Sequence, residues 1–278
     1  MPEKFFSIIV VALNPGERLK ATLESIWNQS FSDYEIILKD GGSRDGSLEK
    51  LEQNGFLSGD SRIRLEKCPD RGIYDAMNQA VKLASGRFFL FLNCGDYLYD
   101  KEVLERVAAV IREDEQKSKA AGIYYGNQFN RLQNAEVYSV PEINNFACYR
   151  NLPCHQVCFY AASLFAERGY DLRYRIRADY EHFLYCIYEQ KVKACYLPLL
   201  IASYEGGGFS ETAENRKQSA AEHKEITTAY LGKGKVLKYR LLMWLSLAPV
   251  RTKLAESPVF SGFYNGVKKG IYGLVKRR

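Results

Sequence analysis

The chain has 278 residues, 46% hydrophobic and 26% charged, which excludes global disorder and allows one large domain or a domain with an appendage. Its net charge of +6 is unevenly placed: residues 232–278 hold eleven Lys or Arg against the single acid Glu256, a net of +10, leaving −4 for residues 1–231. Seven cysteines make an odd number, and nothing at Met1-Pro2-Glu3-Lys4 resembles a signal peptide, so a reducing cytoplasmic setting is expected.

In chain order, residues 5–12 form a near-continuous apolar run, read as a buried parallel strand stopped by Leu13-Asn14-Pro15-Gly16. A helix is predicted over 17–28, with Leu19, Leu23, Ile26 and Trp27 on one stripe, then a strand over 34–39. The turn Asp40-Gly41-Gly42-Ser43-Arg44-Asp45-Gly46-Ser47 follows, where Asp45 or Ser47 is expected to cap a helix running to about 53. Further predictions are a strand over 62–66, a helix over 75–84 ended by Gly86, a strand over 88–92 and a helix over 102–112. Strand and helix alternating through short turns predict a mostly parallel α/β sheet clad by helices. Later expectations are a strand over 123–126, helices over 163–169 and 179–189, a strand over 194–201 and a polar helix over 214–231. The pattern through 137–157, broken by Pro141 and Pro153, places no strand.

Ligands of open α/β sheets gather outside the carboxyl ends of the strands, so residues at those ends are the functional candidates. Asp96, in Leu92-Asn93-Cys94-Gly95-Asp96, offers the hard oxygen that Mg²⁺ or Mn²⁺ prefers, or else caps the next helix. Gly95 there lets backbone and ligand come close. Asp40 is placed to accept a hydrogen bond from a base or ribose beside Gly41 and Gly42, which admit a flat ring. Cys148, Cys154, His155 and Cys158 fit no standard zinc spacing and read as buried thiols beside one histidine.

Four blocks, Val11-Ala12-Leu13-Asn14, Asp40 to Ser47, Asp70-Arg71-Gly72-Ile73-Tyr74-Asp75-Ala76-Met77-Asn78 and Leu92 to Asp96, come in an order and spacing that resembles family 2 glycosyltransferases. The likeness is to the branch that extends bacterial surface polysaccharides, of colanic-acid type, and spans roughly residues 5–210. It implies a GT-A fold (a Rossmann-like sheet with helices on both faces) over residues 1–210, with a helical, basic extension over 211–278. It also implies an inverting transfer from a nucleotide-sugar donor, UDP-linked, with Mg²⁺ or Mn²⁺ as cofactor. By the same resemblance Asp179 is the catalytic base, Asp96 binds the metal, and Ala12, Asn14, Asp40, Gly41, Arg71, Asp75, Asn93, Gly95 and His155 bind the donor. One departure matters: Gly95 stands where many members carry a further Asp. Other roles remain open for three of these residues: Asp179 as a helix N-cap, Asp75 as the start of its helix, and His155 as a structural residue. Glu205 and Gly206–Gly208 form either a loop over the site or a plain connector.

In the tail, Phe260, Phe263, Tyr264, Val267, Ile271, Leu274 and Val275 recur at helical spacing beside Lys268 and Lys269. That pattern predicts attachment to an anionic membrane surface through residues 232–278, peripheral at the inner face, or else a helix packed on the catalytic domain with a solvated charged face; together with the family resemblance, membrane attachment implies a lipid-linked glycan as acceptor. No nucleic-acid motif accompanies the charge, so no nucleic-acid partner is expected. Two other functions share parts of this pattern: a sugar nucleotidyltransferase, for which Asn14 to Lys20 is a poor phosphate loop, and a non-catalytic nucleotide-sugar-binding protein.

Overall fold

A computed structural model describes residues 4–57, 60–206 and 212–245. The chain divides into two compact units, residues 1–226 and 227–278. In the first unit, β1 (Phe6–Ala12), β2 (Tyr34–Asp40), β3 (Ile63–Lys67) and β4 (Phe88–Phe91) pair in parallel in the order β3-β2-β1-β4. Between them run α1 (Arg18–Trp27), α2 (Ser47–Gln53) and α3 (Ile73–Val81). Every residue of β1 and β4 is buried, as in a strand covered on both faces, which is why both segments read as unbroken apolar runs.

The rest of the sheet is mixed. After β5 (Tyr97–Leu98) and α4 (Val103–Gln116) come β6 (Ile123–Asn130), β7 (Ala135–Val137) and α5 (Asn145–Arg150). A 3-10 turn over His155–Val157 then leads into β8 (Cys158–Ala161). Strand β8 lies antiparallel between β4 and β6, and β6 pairs in parallel with β9 (Ala194–Tyr204). Helix α6 (Ala178–Tyr188) precedes β9, and α7 (Ala213–Leu245) follows it, interrupted at Gly232, whose φ of 79° is not helical.

Several expectations need correcting. Residues 163–169 make only a 3-10 turn over Ala162–Phe165. Asn78 takes the backbone beyond it, accepting from Tyr170 N at 2.7 Å and donating to Tyr170 O at 2.8 Å, so the helix cannot continue. Strands β5, β7 and β8 and helix α5 were not foreseen, and β6 runs four residues past 126 because β9 pairs with it as far as Tyr204. Helix α3 begins at Ile73 and ends at Val81, earlier at both ends than the pattern over 75–84. The N-cap of α2 is Gly46; Asp45 supports it by accepting from Ser47 N at 3.2 Å.

Register decides where the site falls. Ala12 pairs with Asp40, Ile9 pairs with Phe91, and Leu92 N donates to Ile9 O at 2.9 Å. The turns after β1, β2 and β4 therefore leave the sheet at one edge. Behind that edge Phe91, Phe165, Tyr170 and the buried ring of His182 pack edge-on or stacked, the His182 and Phe165 centroids 4.3 Å apart. Burial lowers the pKa of His182 to about 3, so it is a neutral core residue.

Candidate active site

A cavity of about 980 Å³ opens along this edge, lined by the ends of β1, β4 and β9, the loop and first turn of α3, and residues 172–179 leading into α6. Asp96 and Asp179 both face it.

Asp96 is 3% exposed. Its Oδ2 accepts from Gln156 Nε2 at 2.9 Å and its Oδ1 from Glu205 N at 3.0 Å, so the turn after β4 is tied to the turn before β8 and to the end of β9. Burial raises the Asp96 pKa, and these two neutral donors, with His155 and Arg131 nearby, offset it only in part. Gly95 has φ of +99°, a conformation that favours glycine, and its carbonyl accepts from Arg131.

Asp179 sits in the first turn of α6 and accepts two hydrogen bonds. His155 Nδ1 lies 3.0 Å from its Oδ2, and Tyr74 OH donates to its Oδ1 at 2.8 Å. Burial pushes this carboxyl upward, but His155 and Tyr74 outweigh it and hold the pKa below the ordinary value. Tyr74, raised well above its own ordinary pKa by burial and the Asp179 charge, stays a phenol donor. His155 Nε2 is 3.0 Å from Asn93 Nδ2, so a continuous chain joins Asn93 beyond β4 to the base candidate on α6. With Asn93 donating to Nε2, His155 carries its proton on Nδ1 and donates to Asp179.

The structure brings Ala12, Arg71, Asp75, Asn93, Asp96, His155 and Asp179 together around the cavity. Asn14, Asp40, Gly41 and Gly95 do not line it. Asp40 is buried in its own turn, accepting from Gly42 N at 3.1 Å and Ser43 N at 3.0 Å. Gly41 backs onto Asp70, which does line the cavity; a Cβ there would fall 2.4 Å from Asp70 Oδ2. Asn14 clips two turns together, its N donating to Ser43 Oγ at 2.8 Å and its Oδ1 accepting from Arg44 N at 2.8 Å. Arg71 is exposed at the rim and pairs with Asp75 at 3.4 Å, while Asp75 also accepts from Arg71 N at 2.9 Å.

Residues not singled out beforehand complete the frame. Lys39 is fully buried, its ammonium reaching Asp40 O at 3.0 Å, Cys68 O and Asp70 Oδ2 at 3.3 Å, which fixes the β2 turn against the loop before α3. Glu222, on the first half of α7, accepts from Arg175 N, Ile176 N and Arg177 N at 3.0, 3.0 and 2.9 Å. That triple contact holds the segment that delivers Asp179. The thiol of Cys154 donates to Gln128 Oε1 at 2.7 Å.

A largely parallel sheet extended by antiparallel strands, with one carboxylate from a strand end and one from a helix start facing the same cavity, is the GT-A glycosyltransferase fold. A profile described as Glycosyl transferase family 2 matches residues 7–169, and the chain belongs to that family. It is 36% identical over 219 residues to a PGL/p-HBAD biosynthesis glycosyltransferase of Mycobacterium tuberculosis, covering 78% of this chain and 83% of that one. A UDP-Glc:alpha-D-GlcNAc-diphosphoundecaprenol beta-1,3-glucosyltransferase of Escherichia coli is 31% identical over 156 residues, 54% of this chain and 59% of that protein. Among solved structures, S. aureus TarS 1-349 in complex with UDP matches with TM-score 0.62 at 18% identity, covering 82% of this chain and 70% of that one. The mannosyltransferase PcManGT from Pyrobaculum calidifontis, in complex with GDP-Man and Mn²⁺, matches with TM-score 0.62 at 14% identity, covering 96% and 87%. At these identities the two structures establish the fold.

Proposed function

We propose that this glycosyltransferase is an inverting hexosyltransferase, moving a sugar from a UDP-linked donor to a lipid-linked or growing surface-polysaccharide acceptor. The observation that carries the reading is Asp179: a carboxylate held ionised by two donors at the wall of the cavity that also holds the strand-end Asp96. The UDP named in the TarS structure and the UDP-Glc and lipid diphosphate named in the E. coli relative support the choice of donor and acceptor, and the GDP-Man of PcManGT supports a nucleotide-sugar donor in general.

In this mechanism the acceptor hydroxyl attacks the anomeric carbon from the face opposite the diphosphate. The new C–O bond forms as the sugar–phosphate bond breaks, its electron pair leaving with the diphosphate and the hydroxyl proton passing to Asp179. Each carboxylate oxygen has a second lone pair, so Asp179 can take the proton while Tyr74 and His155 keep it in place. Arg18 and Arg71, both on the cavity wall, supply positive charge for the departing diphosphate.

A divalent cation fits the oxygens present. Asp96 offers a carboxylate, and Gln156 Oε1 beside it is shielded from solvent without a hydrogen-bond partner among the described residues. No three His, Cys, Asp or Glu converge among the described residues, which suits an ion held largely by diphosphate and water. Asp96 would hold it, and when bound it neutralises charge on the leaving group.

The described end of the second unit supports a membrane-surface site of action. Leu237, Leu241, Leu242, Trp244 and Leu245 are exposed on a segment that also carries Lys233, Lys235, Lys238 and Arg240. Each cation near an anionic leaflet contributes about 1 kcal/mol. No helix among the described residues is long and apolar enough to cross a membrane. The amphipathic pattern predicted from Phe260 to Val275 lies outside the described residues.

Asp179→Asn tests the chemistry. Transfer should fall about a thousandfold while the UDP dissociation constant stays within about twofold; near-normal turnover would refute the assigned base. Deleting residues 232–278 tests the site of action: co-sedimentation with anionic vesicles should be lost, and unchanged co-sedimentation would refute attachment through the tail.

A further inference from the structure

We propose that Glu205 supplies the second carboxylate of the divalent-cation site, doing from β9 what Gly95 cannot do from the turn after β4. The proposal rests on the donor-site reading of the cavity and deepens it. Its first support is steric. A Cβ built on Gly95 would fall 2.4 Å from Glu205 Oε2, so the Glu205 carboxylate already occupies the space that an aspartate at position 95 would claim. The backbone of Glu205 is fixed to the same centre, its N–H donating to Asp96 Oδ1 at 3.0 Å.

The second support is independent of the acidic pair. Gln156 is 5% exposed and its Nε2 donates to Asp96 Oδ2 at 2.9 Å, yet Oε1 of the same carboxamide is buried without a hydrogen-bond partner among the described residues. Leaving a buried carbonyl oxygen unpaired is costly, and a cation at Asp96 would recover that cost. Asp96, Glu205 and Gln156, from three separate segments, line the same cavity and carry hard oxygens, the ligand type that Mg²⁺ and Mn²⁺ select.

Arg18 completes the arrangement. Its Nη1 lies 3.6 Å from Glu205 Oε2, with both side chains about half exposed, so the ion pair is weak and easily exchanged. A cation held by Glu205 would leave the Arg18 guanidinium free to pair with a diphosphate, so that both would supply positive charge to the leaving group.

The test needs no turnover. Mn²⁺ is titrated into the full-length protein with and without UDP, and free Mn²⁺ is read by electron paramagnetic resonance. Asp96→Asn should abolish binding, and Glu205→Gln, which keeps the backbone bond to Asp96, should weaken it about tenfold or more. Arg18→Ala should leave Mn²⁺ affinity unchanged or tighter, because it removes a competitor for Glu205. Wild-type affinity in Glu205→Gln beside a loss in Asp96→Asn would overturn the Glu205 assignment alone. Equal weakening by Glu205→Gln and Arg18→Ala would also overturn it, reducing Glu205 to an ion-pair strut. If UDP itself fails to bind the wild-type protein, the donor reading falls with it.

Discussion

Asp96, in the turn after β4, and Asp179, in the first turn of α6, face one cavity, and their surroundings drive them in opposite directions. Both are pushed toward the protonated form by burial. Asp96, whose hydrogen bonds come from an amide side chain and a backbone N–H, ends above its ordinary pKa. Asp179 receives the ring N–H of His155 and the phenol of Tyr74 and ends below it. The donors separate them: a phenol and a ring N–H on Asp179 outweigh its burial, whereas an amide and a backbone N–H on Asp96 do not. On the proposed function, an incoming positive charge would complete the first carboxylate, whereas the second is ionised in advance, as a proton acceptor must be.

The strongest way to break this contrast is to strip Asp179 of its donors. In the native protein the activity loss due to protonating Asp179 should lie below the ordinary carboxylate range, because its folded pKa is depressed. Tyr74→Phe combined with His155→Ala leaves burial uncompensated, so the pKa rises and the acid limb of kcat/KM moves toward neutrality. Activity near pH 5 should approach the floor set by Asp179→Asn, about a thousandfold down, with partial recovery toward pH 8. An acid limb that stays where the native one lies would mean that these donors do not set the ionisation of the base.

The next effect is on position. Glu222 is buried and accepts three backbone N–H groups of residues 175–177. Glu222→Ala leaves those donors unpaired and should cost about 3 kcal/mol, a fall in Tm of roughly 6–12 °C for a unit of this size. Because the same segment delivers Asp179, kcat should fall more than UDP affinity. A variant with native Tm would show that water replaces the carboxylate there.

These residues differ in how far the sequence alone reveals them. The four-stranded parallel block was legible because β1 and β4 are buried on both faces and end abruptly in turn residues, and the same ends supplied Asp96 and Asn93. Asp179 became a candidate through a likeness to known motifs, since a lone Asp at a helix start carries no chemistry of its own. What stayed hidden depends on distant pairing. The partner of Tyr74 lies 105 residues away, and Gln156 and Glu205 meet Asp96 across separations of 60 and 109. The mixed strands β6, β8 and β9 that bring them there have weak local periodicity. Glu222 sits on a polar helix where nothing in the spacing sets it apart.

The smallest predicted effect lies in the hydrogen-bonded chain that runs from Asn93 through His155 to Asp179. Asn93 Nδ2 donates to His155 Nε2, which leaves the ring proton on Nδ1, facing Asp179. Asn93→Ala removes that constraint, but Asp179 still favours a proton on Nδ1, so the tautomer should persist with only a minor share of the alternative. Rate should drop about threefold, comparable with losing one ordinary hydrogen bond of about 0.7 kcal/mol. Nitrogen NMR of the imidazole reads the tautomer directly: the protonated nitrogen should remain Nδ1 in both proteins, with the Nε2 resonance shifting as its donor disappears. A proton found on Nε2 in the native protein would require the Asn93 amide to present Oδ1 to it and would leave a bare Nδ1 facing Asp179 with no hydrogen to donate. Asp179 would then be held ionised by Tyr74 alone.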